Sequence, residues 1–288
     1  MYEDVIGPFL RYGFMQRALF GSLVLSVSCA PVGVFLMLRR MSLTGDAMAH
    51  AILPGAAVGF VLFGLRIVPM TIGGLVVGLL VALGSGIVSR FTVQKEDASL
   101  AAFYLISLAV GVLLVSWKGS SVDLMHVLFG SVLALNNAAL TLIVGVAVIT
   151  FAALAIFWRA LVAECLDQLF LRSVSRIGTP VHLIFLTLVV LNLIGGFQAL
   201  GTLLSVGLMM LPAAAARFWT NEVPAMCAIA TVIAAISSVS GLLLSYHGSL
   251  PSGPAIILTA GIIYAVSALV GTRGMLPSAL TSRRHKTA

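Results

Sequence analysis

Charge is what this sequence has least of. Only 9% of its 288 residues are Asp, Glu, Lys or Arg, whereas a soluble domain carries roughly 25%. With 60% of residues apolar, too little polar surface remains to face water. The natural solvent of this chain is lipid, and its length cannot be used to count soluble domains. Runs of basic residues are also missing. The formal net charge of +7 is spread singly or in pairs between apolar stretches, a pattern that excludes a nucleic-acid tract and fits a membrane protein. Cysteine is scarce: Cys29, Cys165 and Cys227 stand far apart without C-x-x-C spacing, so no disulfide framework or zinc knuckle is readable. The phosphate-binding G-x-x-x-x-G-K-[ST] loop is absent, so the chain supplies no ATP chemistry of its own. A serine-nucleophile elbow fails as well, because Ser238 and Leu242 occupy its two glycine positions around Ser240. No clear cleavage site follows the first apolar run, which is too long for a signal peptide and is expected to remain as a helix.

What is present is a series of long hydrophobic runs. A helix crossing about 30 Å of hydrocarbon needs roughly 17 to 25 residues. Six stretches qualify directly: Ala18 to Leu38, Thr44 to Leu65, Ile67 to Ser89, Ala98 to Trp117, Val223 to Tyr246 and Gly253 to Thr272. Asn136 and Asn137 divide the region from Val127 to Trp158 into a short amphipathic piece and a helix from about Ala138. The uncharged run from Leu183 to Ala216 would reach about 51 Å as one helix. It is expected to break among Gly195, Gly196 and Gly201 into two short helices. The expectation is an all-α, polytopic membrane protein of about nine transmembrane helices, forming one domain over residues 1–288. A basic, disordered tail from about residue 275 closes it. With the N-terminus outside and the C-terminus cytoplasmic, only Arg11, Arg17, Arg66 and Lys118 of the 16 basic residues lie outside, as the positive-inside rule asks. The glycines within spans, such as Gly73, Gly74 and Gly78, are expected to let helices approach closely.

Ionisable groups inside a span are costly and raise a functional hypothesis. The run Met41 to Gly55, MSLTGDAMAHAILPG, holds two of them. Asp46 and His50 are four apart and share one helix face. A carboxylate and an imidazole there suit a borderline divalent ion such as Zn²⁺ or Mn²⁺. The alternative is that Asp46 caps the helix start while His50 bonds to a neighbouring helix. Pro54 and Gly55, one turn on, can bend the helix and free backbone carbonyls. His247 lies in an expected outer loop, YHGSLPSGP, where it either receives metal or is simply solvated. Asp123 with His126, and His182 near a helix start, are expected at surfaces or interfaces, and His285 belongs to the tail. From Arg159 to Thr179, apolar residues recur at three and four places among charges, indicating a short amphipathic helix at the membrane face.

Several of these segments resemble the ABC permease family that imports zinc, manganese and iron. The resemblance rests on Met41 to Gly55, on DLMHVLFG from Asp123, on GTLLSVGLMMLPAAAAR from Gly201, and on Pro251-Ser252-Gly253-Pro254. It implies an all-helical permease similar in architecture to the vitamin B12 importer class, in the inner membrane, paired with a second permease subunit as a homodimer. A cytoplasmic ATPase dimer would drive it, and an extracytoplasmic protein would deliver Mn²⁺, Zn²⁺ or Fe²⁺ as substrate. No cofactor would be held permanently, and the chain itself would not be an enzyme. Asp46 and His50 match the family's transient metal contacts. The 159–179 stretch matches the position of the coupling helices, with Asp167 and Gly178 at the recurrent Asp and Gly, and with Glu164 and Arg172 beside them. Leu166 and Gln168 depart from the family's aromatic and acidic neighbours of that Asp. The alternative activity is a proton- or sodium-coupled secondary metal transporter, which needs a relay of buried carboxylates; Asp46 is the only carboxylate expected well within a span.

Overall fold

The computed structural model describes residues 7–64, 66–117, 135–166 and 178–276. Among them every regular element is helical: α1 (Gly7–Arg11), α2 (Gly13–Leu38), α3 (Thr44–Phe63), α4 (Ile67–Phe91), α5 (Glu96–Trp117), α6 (Asn137–Leu166), α7 (Gly178–Leu200), α8 (Thr202–Ala216), α9 (Val223–Gly248) and α10 (Ser252–Val270). Backbone N–H and C=O groups find no water in hydrocarbon, so each apolar run closes its hydrogen bonds on itself as a helix. Asp123, His126, Asp167, Arg172 and the basic tail from residue 277 lie outside the described residues.

Element boundaries follow local chemistry. The Asn136 side chain accepts the Ala139 N–H at 2.8 Å, placing the start of α6 at the expected Asn pair. Gly201 separates α7 from α8 with φ 91°, a conformation that costs a glycine little. Gly195 and Gly196 stay helical within α7. Helix α2 ends in a Schellman arrangement: the Met41 N–H reaches the Leu36 carbonyl at 3.0 Å, and the Arg40 N–H reaches that of Met37 at 3.1 Å. The left-handed position in this motif, usually glycine, is filled by Arg40 with φ 59°.

The expectation of nine crossings needs correction. Among the described residues six helices are long and apolar enough to cross a bilayer: α2, α4, α6, α7, α9 and α10. Helix α8, with 15 residues, reaches only about 22 Å. In α3 the polar Asp46 and His50 occupy the first two turns, leaving residues 51–63 as its apolar run. A second difference concerns α6, which was expected to end near Trp158 and instead continues to Leu166. Its 30 residues extend about 45 Å, some 15 Å more than the hydrocarbon thickness.

Helices α2 and α7 form the centre, each with 72% of its apolar window buried. Helix α2 packs against α6, α7, α8 and α9, and α7 against α3, α4, α6 and α8. Phe35 on α2 meets Trp158 on α6 and Phe185 on α7 edge to face, with centroids 5.5 and 6.4 Å apart. Polar contacts supplement apolar packing: Ser26 and Ser238 hydroxyls lie 3.0 Å apart between α2 and α9. The Asn192 amide donates to Thr150 Oγ1 at 2.8 Å, and its oxygen accepts from Cys29 Sγ at 3.6 Å. All three cysteines are free thiols.

Helices α3 and α4 meet through glycine. A Cβ on Gly55 would collide with the Gly73 carbonyl, and one on Gly73 with that of Gly55. Gly73→Val should therefore cost about 1–3 kcal/mol or more through overpacking, read as a lower melting temperature in detergent. Gly145→Ala, with open space around it, should leave stability unchanged or raise it by about 0.5–1 kcal/mol.

Candidate functional site

The candidate site begins at the turn joining α2 to α3. Leu43 precedes the first helical residue, and no side chain caps the helix start. Asp46 lies in the first turn of α3, where its carboxylate complements the positive end of the helix dipole without acting as a cap. One turn later, His50 Nε2 stands 3.7 Å from Asp46 Oδ1, with the two side chains 40% and 67% exposed. Among the described residues no third His, Cys, Asp or Glu joins them into a cluster. Pro54 has no N–H to offer the carbonyl of His50, four residues earlier in the same helix. The face thus presents one carboxylate, one imidazole and one carbonyl released from the helix ladder. Two protein side chains can grip a divalent ion only loosely unless water or another subunit completes the coordination shell.

His247 stands apart from this pair. It was expected in a loop, but α9 runs on through Gly248, so His247 sits in the last helical turn. Its Nδ1 lies 2.9 Å from the Leu243 carbonyl. An N–H there donates to that oxygen and leaves Nε2 facing outward. Ser240, for its part, donates its hydroxyl to the Ile236 carbonyl of its own helix at 2.7 Å.

Two other residues were misplaced by pattern reading. Glu164, expected on the amphipathic surface, is 2% exposed and accepts from Arg39 Nη2 at 2.7 Å. His182, expected at a surface or interface, is buried, with Nδ1 3.0 Å from Arg39 Nη1 and 3.6 Å from Glu164 Oε1. A guanidinium can only donate, so His182 Nδ1 accepts and the proton of the neutral ring belongs on Nε2. The Arg39 Cζ lies 4.1 Å above the centre of the Phe185 ring, which adds a cation–π contact. This cluster joins the end of α2, the end of α6 and the start of α7. Gly178, the first residue of α7, is buried beside this end of the bundle. Periodicity could not reveal the cluster, because its three members come from distant stretches and each looks like an ordinary polar residue at a helix end.

A sequence profile described as the ABC 3 transport family matches residues 11–271. The chain belongs to the ABC 3 transport family. It is 32% identical over 260 residues to the manganese transport system membrane protein MntC of Listeria innocua, covering 90% of this chain and 91% of that one. It is 28% identical over 264 residues to the chelated iron transport system membrane protein YfeC of Yersinia pestis, covering 92% and 88%. Among solved structures, PsaBC from Streptococcus pneumoniae in complex with Fab superposes with a TM-score of 0.82 at 31% identity, covering 95% and 97%. Membership carries an ABC importer permease architecture to nearly the full chain.

In this ABC 3 family member, Glu164 and Arg39 neutralise each other out of water. Removing one partner strands the other. Glu164→Ala should cost about 3–5 kcal/mol, seen as a large drop in melting temperature of the purified protein. A surface carboxylate at the same position would shift it hardly at all.

Proposed function

We propose that this chain is the transmembrane permease subunit of an ABC importer that moves divalent transition-metal ions, manganese, zinc or iron, into the cytoplasm. The observation that carries the proposal is the Asp46–His50 pair, 3.7 Å apart on one turn of α3 and open to the outside of the subunit. A borderline divalent cation accepts one oxygen and one nitrogen ligand readily, and two protein ligands hold it weakly enough for release. The manganese and chelated-iron systems to which MntC and YfeC belong support this class of cargo.

In this reading an extracytoplasmic binding protein hands the ion to a passage between two copies of the permease. Asp46 and His50 of each copy contact it in transit, and His247 stands near the outer mouth. A cytoplasmic ATPase dimer presses on the 159–179 stretch, where Asp167, Arg172 and Gly178 meet or flank the contact and Glu164 anchors it from within. ATP binding and hydrolysis then alternate the side to which the passage opens. The N-terminus faces outward and the C-terminus the cytoplasm of a cell whose inner membrane the chain spans, an arrangement that needs an odd number of α3, α5 and α8 to cross beside the six other helices. A proton- or sodium-driven carrier fits less well: the one carboxylate buried among the described residues, Glu164, is spent on Arg39 and is not free to relay a proton.

Two measurements test this. In proteoliposomes holding the permease with its ATPase and binding protein, Mn²⁺, Zn²⁺ and Fe²⁺ uptake should require ATP and survive collapse of the proton gradient. Asp46→Ala and His50→Ala should each lower uptake about tenfold or more, equivalent to about 1.4 kcal/mol of lost interaction; normal uptake in both variants removes the metal from this helix face. Separately, a green fluorescent protein fused at the C-terminus should fluoresce, and alkaline phosphatase fused at the N-terminus should be active. The reverse pattern inverts the topology.

A further inference from the structure

The Arg39–Glu164–His182 cluster lies outside the candidate metal site, yet a short rigid path connects the two. Arg39 is the last residue of the α2 terminus, its side chain fully buried. The chain then turns through Arg40 in the left-handed conformation and Met41, which is buried. The Thr44 N–H donates to the Met41 carbonyl at 3.1 Å, and the Ala47 N–H to Leu43 at 3.0 Å. Backbone hydrogen bonds thus pin the bend on both sides of Ser42 and Leu43, from Arg39 to the turn bearing Asp46. Helix α8 packs close to that turn, since a Cβ on Gly45 would sit 2.7 Å from the terminal methyl of Met210.

On its other side, Arg39 grips both ends of one connection. Glu164 is two residues before the end of α6, and His182 is in the second turn of α7; residues 167–177 join them. One guanidinium therefore holds α6 and α7 where they leave and enter that stretch, at 2.7 and 3.0 Å, while its own backbone leads into α3. Its planar fork suits this role, because it can address a carboxylate and an imidazole at once, as a lysine ammonium cannot from a single fixed direction.

Stability alone does not account for such a cluster. Desolvating two charges offsets much of their attraction, and well-packed apolar residues of similar volume often do as well or better. A charged bridge is worth retaining where it fixes the relative position of elements that must move together.

We propose that Arg39 is a positioning residue that transmits displacement of the 159–179 stretch to the helix bearing Asp46 and His50. This rests on the reading of that stretch as the ATPase-facing surface and of α3 as the metal-bearing helix. A push on the ends of α6 and α7 moves Glu164 and His182, draws the guanidinium with them, and turns α3 through the hydrogen-bonded bend at 40–44.

The test uses the full importer, with its ATPase and binding protein, in proteoliposomes. The readout is the number of ions imported per ATP hydrolysed, alongside Mn²⁺ affinity of the permease. The double variant R39M/E164L removes both charges together. It should assemble with the ATPase and bind Mn²⁺ within about twofold of the parent, while ions imported per ATP fall about tenfold or more. The single variant Arg39→Lys keeps a buried cation opposite Glu164 but gives up the two-pronged hold. It should lower the same ratio severalfold, so that a double variant unable to assemble still leaves a decisive measurement. A purely structural role predicts the opposite: fewer active complexes, each with the parental ratio. A parental ratio in Arg39→Lys, or in an assembled R39M/E164L, overturns the proposal. A parent complex that imports no divalent metal instead overturns the permease reading beneath it.

Discussion

Close approach of helix backbones is the constraint on which this structure depends. Lipid tails are as apolar as leucine, so burying an apolar side chain between transmembrane helices brings little of the hydrophobic gain available in water. Contact has to come from shape. Gly33 of α2 lies directly against the Met209 backbone of α8, and Gly55 of α3 against Gly73 of α4. Where backbones cannot come that near, single polar bonds take over, as between Ser26 and Ser238 or Asn192 and Thr150. The central position of α2 follows, since it buries small or hydroxylated residues such as Gly21, Ser22, Ser26, Ala30 and Gly33.

Within that frame the ionisable groups divide into two kinds. Arg39, Glu164 and His182 pair with one another behind a closed surface, with Phe185 below the guanidinium and Arg39 Nε left without a hydrogen-bond partner. Asp46 and His50 have each other at a loose 3.7 Å and remain open. The difference is one of chemistry available for use. A charge already neutralised at 2.7 Å has no capacity left for a passing cation, whereas a carboxylate beside a half-exposed imidazole keeps lone pairs to offer.

Much of the scaffold was legible from sequence. Helix starts at Thr44, Ile67 and Val223 and the break at Gly201 emerge where apolar runs meet charge or glycine, because in lipid the length of an apolar run and the backbone's need for internal bonding leave few alternatives. The i, i+4 spacing placed Asp46 and His50 on one face without any tertiary information. Three features were not legible. The extension of α6 beyond Trp158 depends on its polar final turns being packed against α2 and α7 and not lying along the headgroups, and nothing in residues 159–166 taken alone distinguishes the two. The burial of Glu164 and His182 depends on a partner 125 or 143 positions away in the chain, a range at which pattern reading carries no signal. The expectation of about nine crossings is not supported by the described residues, where six helices have the length and apolarity to cross; α8 is too short to satisfy a bilayer on its own, and α3 opens on polar turns.

The glycine contact between α3 and α4 has a mechanical corollary. With carbonyl against α-carbon along Gly55, Gly59 and Gly73, a shift of either helix would bring side chains into a gap too narrow for them, which favours the two moving together. The outer helix of that pair turns Val68, Ile72, Val76 and Leu80 outward. Any rotation that reorients Asp46 drags this greasy keel through the surrounding acyl chains, and the speed of such a stroke inherits the viscosity of the membrane in which it is made.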